Sequence, residues 1–375
     1  MGISDSKPDS NEKQSYPSYI LDEINNILMI PDTNRQKVSK IISRFFDSFD
    51  DKNNLSDLLD YITMFDVSFQ KDESFKSSLK ELIIDKRQIQ KGSYGVIKSG
   101  HYKGAPMAVK IPINITFNTS QLIESLIHAL LSCDVHRKYY AQQTHHIVTP
   151  VEYPISHIYF IAKSNTGLLL TGMELLQITL SKFIQSTNIS KDNFKDIIIQ
   201  IVVKLSLMQK QFGFMHRDFH SDNIMLKKRE YPITFQYERM TTISEYEVFF
   251  IDFGMSCVDF SLCSQCNLYL TLSPGSPYGL LTTQEITCKN FSFDLRYLFG
   301  FLKENLYNYI RPFLNSKGCM TKLINESIAN IDISGYTNSI QNILDRHKKI
   351  ATAVNIENPL FLPDNVFHSI LTDGF

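Results

Sequence analysis

A polar octapeptide, His216-Arg217-Asp218-Phe219-His220-Ser221-Asp222-Asn223, stands between two apolar runs and constrains this chain more than any other stretch. Val202 to Met215 leads into it and Ile224-Met225-Leu226 leaves it. Both flanks call for burial, so the loop between them is held by the rest of the fold. Polar loops on such a scaffold carry function more often than they carry packing. Asp218 offers a carboxylate that can accept a hydrogen bond from a hydroxyl. Asn223, five positions on, offers an amide oxygen that can meet a divalent cation without adding charge. A second segment, Phe249-Phe250-Ile251-Asp252-Phe253-Gly254, delivers another acid from a hydrophobic strand to a glycine turn. Mg²⁺ keeps several waters and takes one or two protein ligands, which suits Asp252 together with Asn223.

The surrounding periodicity predicts the architecture. Residues 1–17 are polar and read as a disordered tail. Helical stripes follow: Ile20, Leu21, Ile24, Ile27 and Leu28; Val38, Ile41, Ile42, Phe45 and Phe46; Leu55, Leu58, Leu59 and Ile62; Phe75, Leu79, Leu82 and Ile83. They predict a helical extension over 18–85 with no chemistry of its own. From about residue 86 short β-type runs and glycine turns take over, at Ser93–Gly100 and Pro106–Ile113. A helix at Ser120–Ser132 follows, then strands near Ile147–Tyr153, Ile158–Lys163 and Leu168–Leu175. The chain then turns mainly helical from Thr179 to Phe212 and again from Phe291 onward. Strands first and helices later predict an α+β, two-lobed architecture.

Three further elements stand upstream of the octapeptide. Lys91-Gly92-Ser93-Tyr94-Gly95-Val96-Ile97 is a glycine turn at a strand, where backbone N–H groups can approach phosphate oxygens. Taken alone it reads as a simple hairpin, and Gln90 stands where a first glycine would complete Gly-x-Gly-x-x-Gly. Met107-Ala108-Val109-Lys110-Ile111 puts Ala108 and Lys110 on one strand face. Glu124, fourteen residues after Lys110, lies inside an amphipathic helix and can fix that lysine.

These five elements, in this order, resemble the protein kinase family over about residues 86 to 310. The resemblance implies an α+β, two-lobed protein-kinase-like fold with a helical N-terminal extension. Its lobes would span 86–176 and 177–375. It implies MgATP as phosphoryl donor, Ser/Thr hydroxyls of proteins as acceptors, and a catalytic set of Asp218, Lys110, Glu124, His220 and Arg217. Asn223 and Asp252 would hold the metal. Gly92, Ser93, Gly95 and Lys110 would hold the phosphates. Ile89, Ile97, Ala108, Met173 and Met225 would line the adenine pocket, with backbone groups of Glu174 and Leu176 bonding the ring edge. Asp294 resembles the acid that ties down the catalytic loop.

Departures keep other readings open. His220 stands where serine/threonine kinases carry Lys. That resembles haspin-like kinases and also aminoglycoside and choline phosphotransferases, so a small-molecule kinase is an alternative. A kinase-shaped binding module without catalysis is a second alternative, although it would normally lack one of the residues found here. Asn223 and Asp252 stand 29 positions apart, longer than usual for the family. The excess, roughly Arg229 to Glu247, predicts an extended hairpin containing Ile233–Tyr237. No Ala-Pro-Glu follows; Gly275-Ser276-Pro277-Tyr278 and Gln284-Glu285-Ile286 are the nearest substitutes. Arg217 hints at control by phosphate on Thr271, Ser273, Ser276, Thr282 or Thr283. Cys263-Ser264-Gln265-Cys266 supplies one knuckle of a zinc site, but Cys257 and Cys288 lie at no usual second spacing, so reduced, unpaired cysteines are expected.

Bulk properties exclude other classes. Net charge is −1, so no field points to nucleic acid. The polar N-terminus lacks a signal-peptide core and no run of about 18 apolar residues exists, which predicts a soluble, intracellular, cytoplasmic protein. Met1-Gly2-Ile3-Ser4-Asp5-Ser6 fits the N-myristoylation pattern as well as a disordered terminus. A single acyl chain on Gly2 would give only weak, reversible membrane association. The Ile/Asn/Lys-leaning composition is similar to that of kinases of large DNA viruses, which would place the chain in a host cytoplasm. Nothing in the sequence fixes an oligomeric state.

Overall fold

The computed structural model describes residues 18–47, 52–62, 64–65, 82–92, 95–143, 152–186, 189–258, 290–329, 349–350, 354 and 357–375. The chain is α+β. Helices α1 (Ser18–Ile27), α2 (Asp32–Asp47) and α3 (Lys52–Tyr61) come first, followed by the short strand β1 (Met64–Phe65). Then come β2 (Leu82–Lys91), β3 (Gly95–Tyr102), β4 (Ala105–Pro112), helices α4 (Asn118–Ser132) and α5 (Asp134–Gln143), and β5 (Ile158–Ser164) and β6 (Leu169–Glu174). These six strands form one sheet in the order β1-β5-β6-β4-β3-β2, antiparallel except where β1 joins β5.

The stripe ending in Leu82 and Ile83 is not helical at that end. Leu82 and Ile84 are 1% and 2% exposed and Ile83 is 46% exposed, so the burial period is two and the segment is the start of β2. Phe75 and Leu79 lie outside the described residues, as does the 147–151 part of the strand expected near Ile147–Tyr153.

The second half carries a three-stranded sheet, β7 (Ile178–Thr179), β8 (Ile224–Tyr237) and β9 (Met240–Phe250), in that order. The extended hairpin expected between Asn223 and Asp252 is β8–β9 itself. It closes at Glu238, whose φ of 51° puts it in the left-handed region that a two-residue turn needs. The long helical stretch divides into α6 (Leu180–Gln185) and α7 (Lys191–Phe212). Ser190 caps α7 by accepting the Asn193 N–H, and Gly213 ends it at φ 53°. Nearly every residue of α7 from Phe194 to Phe212 is buried, because β9 and the last helix cover it. That helix, α10 (Pro363–Asp373), follows α8 (Phe293–Ile310) and α9 (Cys319–Ser327). Among the described residues no helix is long and apolar enough to cross a membrane.

Gly95 opens β3 against β4, and a Cβ there would meet the Ile111 carbonyl oxygen at 2.8 Å. Close strand approach, more than any ligand, requires glycine at this position. Gly95→Val should lower stability by about 1–3 kcal/mol through overpacking, read as a fall in the urea midpoint at unchanged slope.

Candidate active site

Strand β4 carries Lys110, whose Nζ donates to both carboxylate oxygens of Glu124 at 2.7 and 2.6 Å. Asp252 Oδ1 lies 3.7 Å from the same nitrogen. Burial works against the Lys110 charge, but Asp252 and Glu124 outweigh it and hold the ammonium above its usual range. Burial pushes the Glu124 carboxyl up, with Lys110 pulling it down and Asp252 adding to the rise. A pair desolvated this far contributes little net stability. Its effect is positional: it fixes where the Lys110 charge sits.

Helix α4 meets the sheet through a polar stripe that sequence reading passed over. Gln121 Nε2 donates to the Lys110 carbonyl at 2.9 Å and to Thr171 Oγ1 at 3.1 Å. Ser125 Oγ and Thr171 Oγ1 are 2.7 Å apart. His128 Nε2 donates to the Ser156 carbonyl at 3.0 Å, and its ring meets Phe253 edge-on at 5.1 Å. Gln121, Glu124, Ser125 and His128 share one helical face in an otherwise apolar helix. That polar stripe was the available signal.

The octapeptide loop is held from below. Asp294, fully buried in the first turn of α8, accepts the N–H of His216 at Oδ2 and of Arg217 at Oδ1, both at 2.8 Å. The position resembling a loop-tying acid thus makes those contacts. Arg217 has φ 65° and Asp252 has φ 66°, two non-glycine residues in the left-handed region, as strained functional loops show. Asn223 Nδ2 donates to the Asp218 carbonyl at 2.9 Å and to Asp218 Oδ2 at 3.0 Å. Its nitrogen is therefore committed inward, and the amide oxygen is the atom chemically suited to a cation. Ile251 N–H donates to the Asn223 carbonyl at 3.0 Å, so the residue preceding Asp252 is tied to Asn223. A carboxylate on Asp252 and an amide oxygen on Asn223 are donors of the kind that Mg²⁺ takes.

His220 Nε2 lies 3.6 Å from Asp218 Oδ2. The ring stacks on Phe301 at 5.1 Å, and its Nδ1 accepts the Asp222 N–H at 3.3 Å. Burial lowers the His220 pKa, but Asp218 more than reverses this and the net direction is up. While Nδ1 accepts that bond, the ring proton resides on Nε2, facing Asp218. Arg217 is buried and its Nη1 donates to Cys257 Sγ at 3.3 Å. Cys257 is disulfide-bonded, which corrects the expectation of a reduced thiol there and removes its sulfur as a thiolate zinc ligand.

A cavity of about 150 Å³ opens among Gly92, Gly95, Ile97, Lys110, Glu124 and Asp252. It joins the glycine turn to the ion pair and to Asp252. Ala108, Met173, Leu176 and Met225 do not line it. Ala108 pairs with Met173 across β4–β6, Leu176 is buried just before β7, and Met225 sits on β8. Ile89 falls at an irregularity in the β2–β3 ladder and is 42% exposed. The Glu174 side chain is engaged by Lys227 Nζ at 2.6 Å. Gly2, Ser93, the threonines and serines at 271–283, Gly275–Ile286, and Cys263, Cys266 and Cys288 all lie outside the described residues.

No protein-family model matches the chain. A curated relative, "Probable kinase 098L" of Invertebrate iridescent virus 3, is 35% identical over 82 residues. The match takes in 21% of this chain and spans only 16% of that protein's length. It is a partial similarity to a protein bearing that name.

The buried histidines make stability pH-dependent. Burial pushes His128 and His136 down from 6.5 to about 4. The unfolded chain takes up their protons first as pH falls, so stability is full above about 6.5 and is lost on the way down to about 4. Between pH 7 and 5 each should cost about 2 kcal/mol. Urea unfolding at the two pH values checks this, and His128→Gln should remove its share of the difference.

Proposed function

We propose that this chain is a phosphotransferase that moves the γ-phosphoryl group of MgATP to a hydroxyl, with Ser/Thr side chains of proteins as acceptors. The observation that carries the reading is the Lys110–Glu124 ion pair beside Asp252, set against an Asp218–Asn223 loop pinned by Asp294. Phosphoryl transfer asks a protein to hold phosphates, neutralise their charge and aim a hydroxyl; it asks for little covalent chemistry. Lys110, fixed by Glu124, supplies a point charge for phosphate oxygens. Gly92 and Gly95 border the same cavity and leave backbone close to that charge. Asn223 and Asp252 are the residues that would hold Mg²⁺, which when bound neutralises phosphate charge. Asp218 accepts the acceptor hydroxyl's proton as the new O–P bond forms, and ADP leaves with the electrons of the broken bond. The partial likeness to a protein named a probable kinase agrees with this reading.

Protein acceptors are the finer part of the proposal. The intact set of lysine, glutamate, base and two metal-binding positions supports catalysis over a purely binding role. His220 favours a second reading, a small-molecule kinase, because its ring takes the place of a lysine near the acceptor. Both readings meet in one experiment: labelled ATP with mixed proteins, or with aminoglycosides and choline, followed by phosphoamino-acid analysis. Wild type should label Ser and Thr. Asp218→Asn should lose about 100-fold or more in kcat while binding nucleotide within about twofold of wild type. Full activity in that variant would remove Asp218 as the base, and label on the small molecules alone would remove the protein acceptor.

A further inference from the structure

The helical extension packs on the helix that carries Glu124, and that placement gives it a task. Helix α4 carries Glu124 and is buried on nearly every face: Gln121, Leu122 and Ser125 through Ser132 are all covered. A helix hydrophobic and covered all round is a core helix, and here the cover comes from two sides. On one side the polar stripe faces the sheet and Phe253. On the other, α1 and α3 pack on α4, and Ile20, Leu21, Ile24 and Leu28 share one core with Leu122, Leu126, Ile127 and Leu130. The extension is itself anchored. Glu23 Oε1 accepts the Asp134 N–H at 2.9 Å, at the junction where α4 gives way to α5. Buried Asn25 donates to Ser39 Oγ at 2.7 Å and ties α1 to α2. Beyond α3, β1 adds a parallel strand to the edge of the sheet through Met64 opposite Lys163.

We infer that α1–α3 are a built-in brace that holds α4 against the sheet and so keeps Glu124 on Lys110, making Ile20, Glu23 and Ile24 positioning residues for the site. Helix α4 cannot swing outward without unpacking α1, so the ion pair is maintained by the chain's own extension. In its effect on turnover the inference rests on the phosphotransferase reading; in its effect on α4 it does not.

The test uses the full chain and two readouts. Hydrogen exchange of amides 118–132 is compared between wild type, Ile20→Ala/Ile24→Ala and Glu23→Ala, which leaves the α1 core packing in place. Exchange over α4 should rise about tenfold or more in the double variant and less in Glu23→Ala, with α7 and the β8–β9 hairpin unchanged. For turnover, the double variant should lose about ten- to a hundredfold in kcat, and Ile24→Val alone should stay near wild type. In a Glu124→Gln background, where the ion pair is already gone, the double variant should cause no further loss. Unchanged α4 exchange in both variants, or an undiminished kcat loss in the Glu124→Gln background, overturns the brace. Loosened α4 in a chain that transfers no phosphate would uphold the brace and sink the phosphotransferase reading instead.

Discussion

Asp294 decides the shape of the loop that every other part of the site faces. Its two oxygens take the N–H groups of His216 and Arg217 at 2.8 Å each, and they do so with the carboxylate fully buried. Burial pushes its pKa up on balance, while the nearby His216 and Arg217 side chains and the two N–H bonds pull the other way. Its place in the first turn of α8 adds the positive end of the helix to that pull. The reward for burying the acid is a backbone that cannot relax. Arg217 stays at φ 65° with its own N–H and that of His216 both held, and Asp218 follows with Asn223 bonded to its carboxylate. Remove the carboxylate and two buried N–H groups lose their partners, at about 1–3 kcal/mol each.

The far end of the site is fixed by different means. Asn223 immediately precedes β8 and Asp252 follows β9, so the register of one hairpin sets the two candidate cation ligands relative to each other. The pairing of Ile224 with Phe250 is the first rung. Further out, α7 grips the hairpin through a buried polar set. Lys204 Nζ donates to the Val248 carbonyl at 3.0 Å and lies 3.8 Å from Glu152, which also pairs with Arg229. Gln200 Nε2 reaches Asp196, Ser244 Oγ and the Tyr246 carbonyl. Buried charges of this sort are a weak source of stability. What they do specify is register: a one-residue slip of β9 would turn Ser244 and the Val248 carbonyl away from α7. The length between Asn223 and Asp252 is thus absorbed by a hairpin whose outer half is locked by α7.

Much of this was legible in the chain because it is local. Lys110 and Glu124 sit on a strand and a helix whose periods are plain, and the octapeptide and the Asp252 turn announce themselves by polar residues between apolar runs. The hairpin was legible from length and from Ile233–Tyr237. Other features depend on partners that spacing does not reveal. The Leu82–Ile83 pair fits a helical stripe as well as a strand, and only the alternation against Ile84 in three dimensions separates them. Gln121 and Ser125 look like ordinary surface residues of an amphipathic helix until β6 places Thr171 opposite them. Lys204 looks like a solvated lysine in a helix until β9 and Glu152 close over it. The extension's helices were visible, but their target was not, because apolar stripes do not name the surface they cover.

His220 also has a structural consequence for the loop. A lysine at position 220 would be a flexible cation; the histidine is a plane with one orientation. Phe301 stacks against the ring, and the Asp222 N–H occupies Nδ1. Nε2 is then the edge turned to Asp218 Oδ2, the oxygen that Asn223 Nδ2 also approaches. The Asn223 bond at 3.0 Å and the His220 edge at 3.6 Å both meet that one oxygen, so the carboxylate is oriented from two sides. Charging the ring would give up the Asp222 N–H bond at Nδ1, while Asp218 at the other edge favours the charge. The loop therefore holds Asp218 between an amide donor and a planar ring, where a lysine would bring a flexible chain.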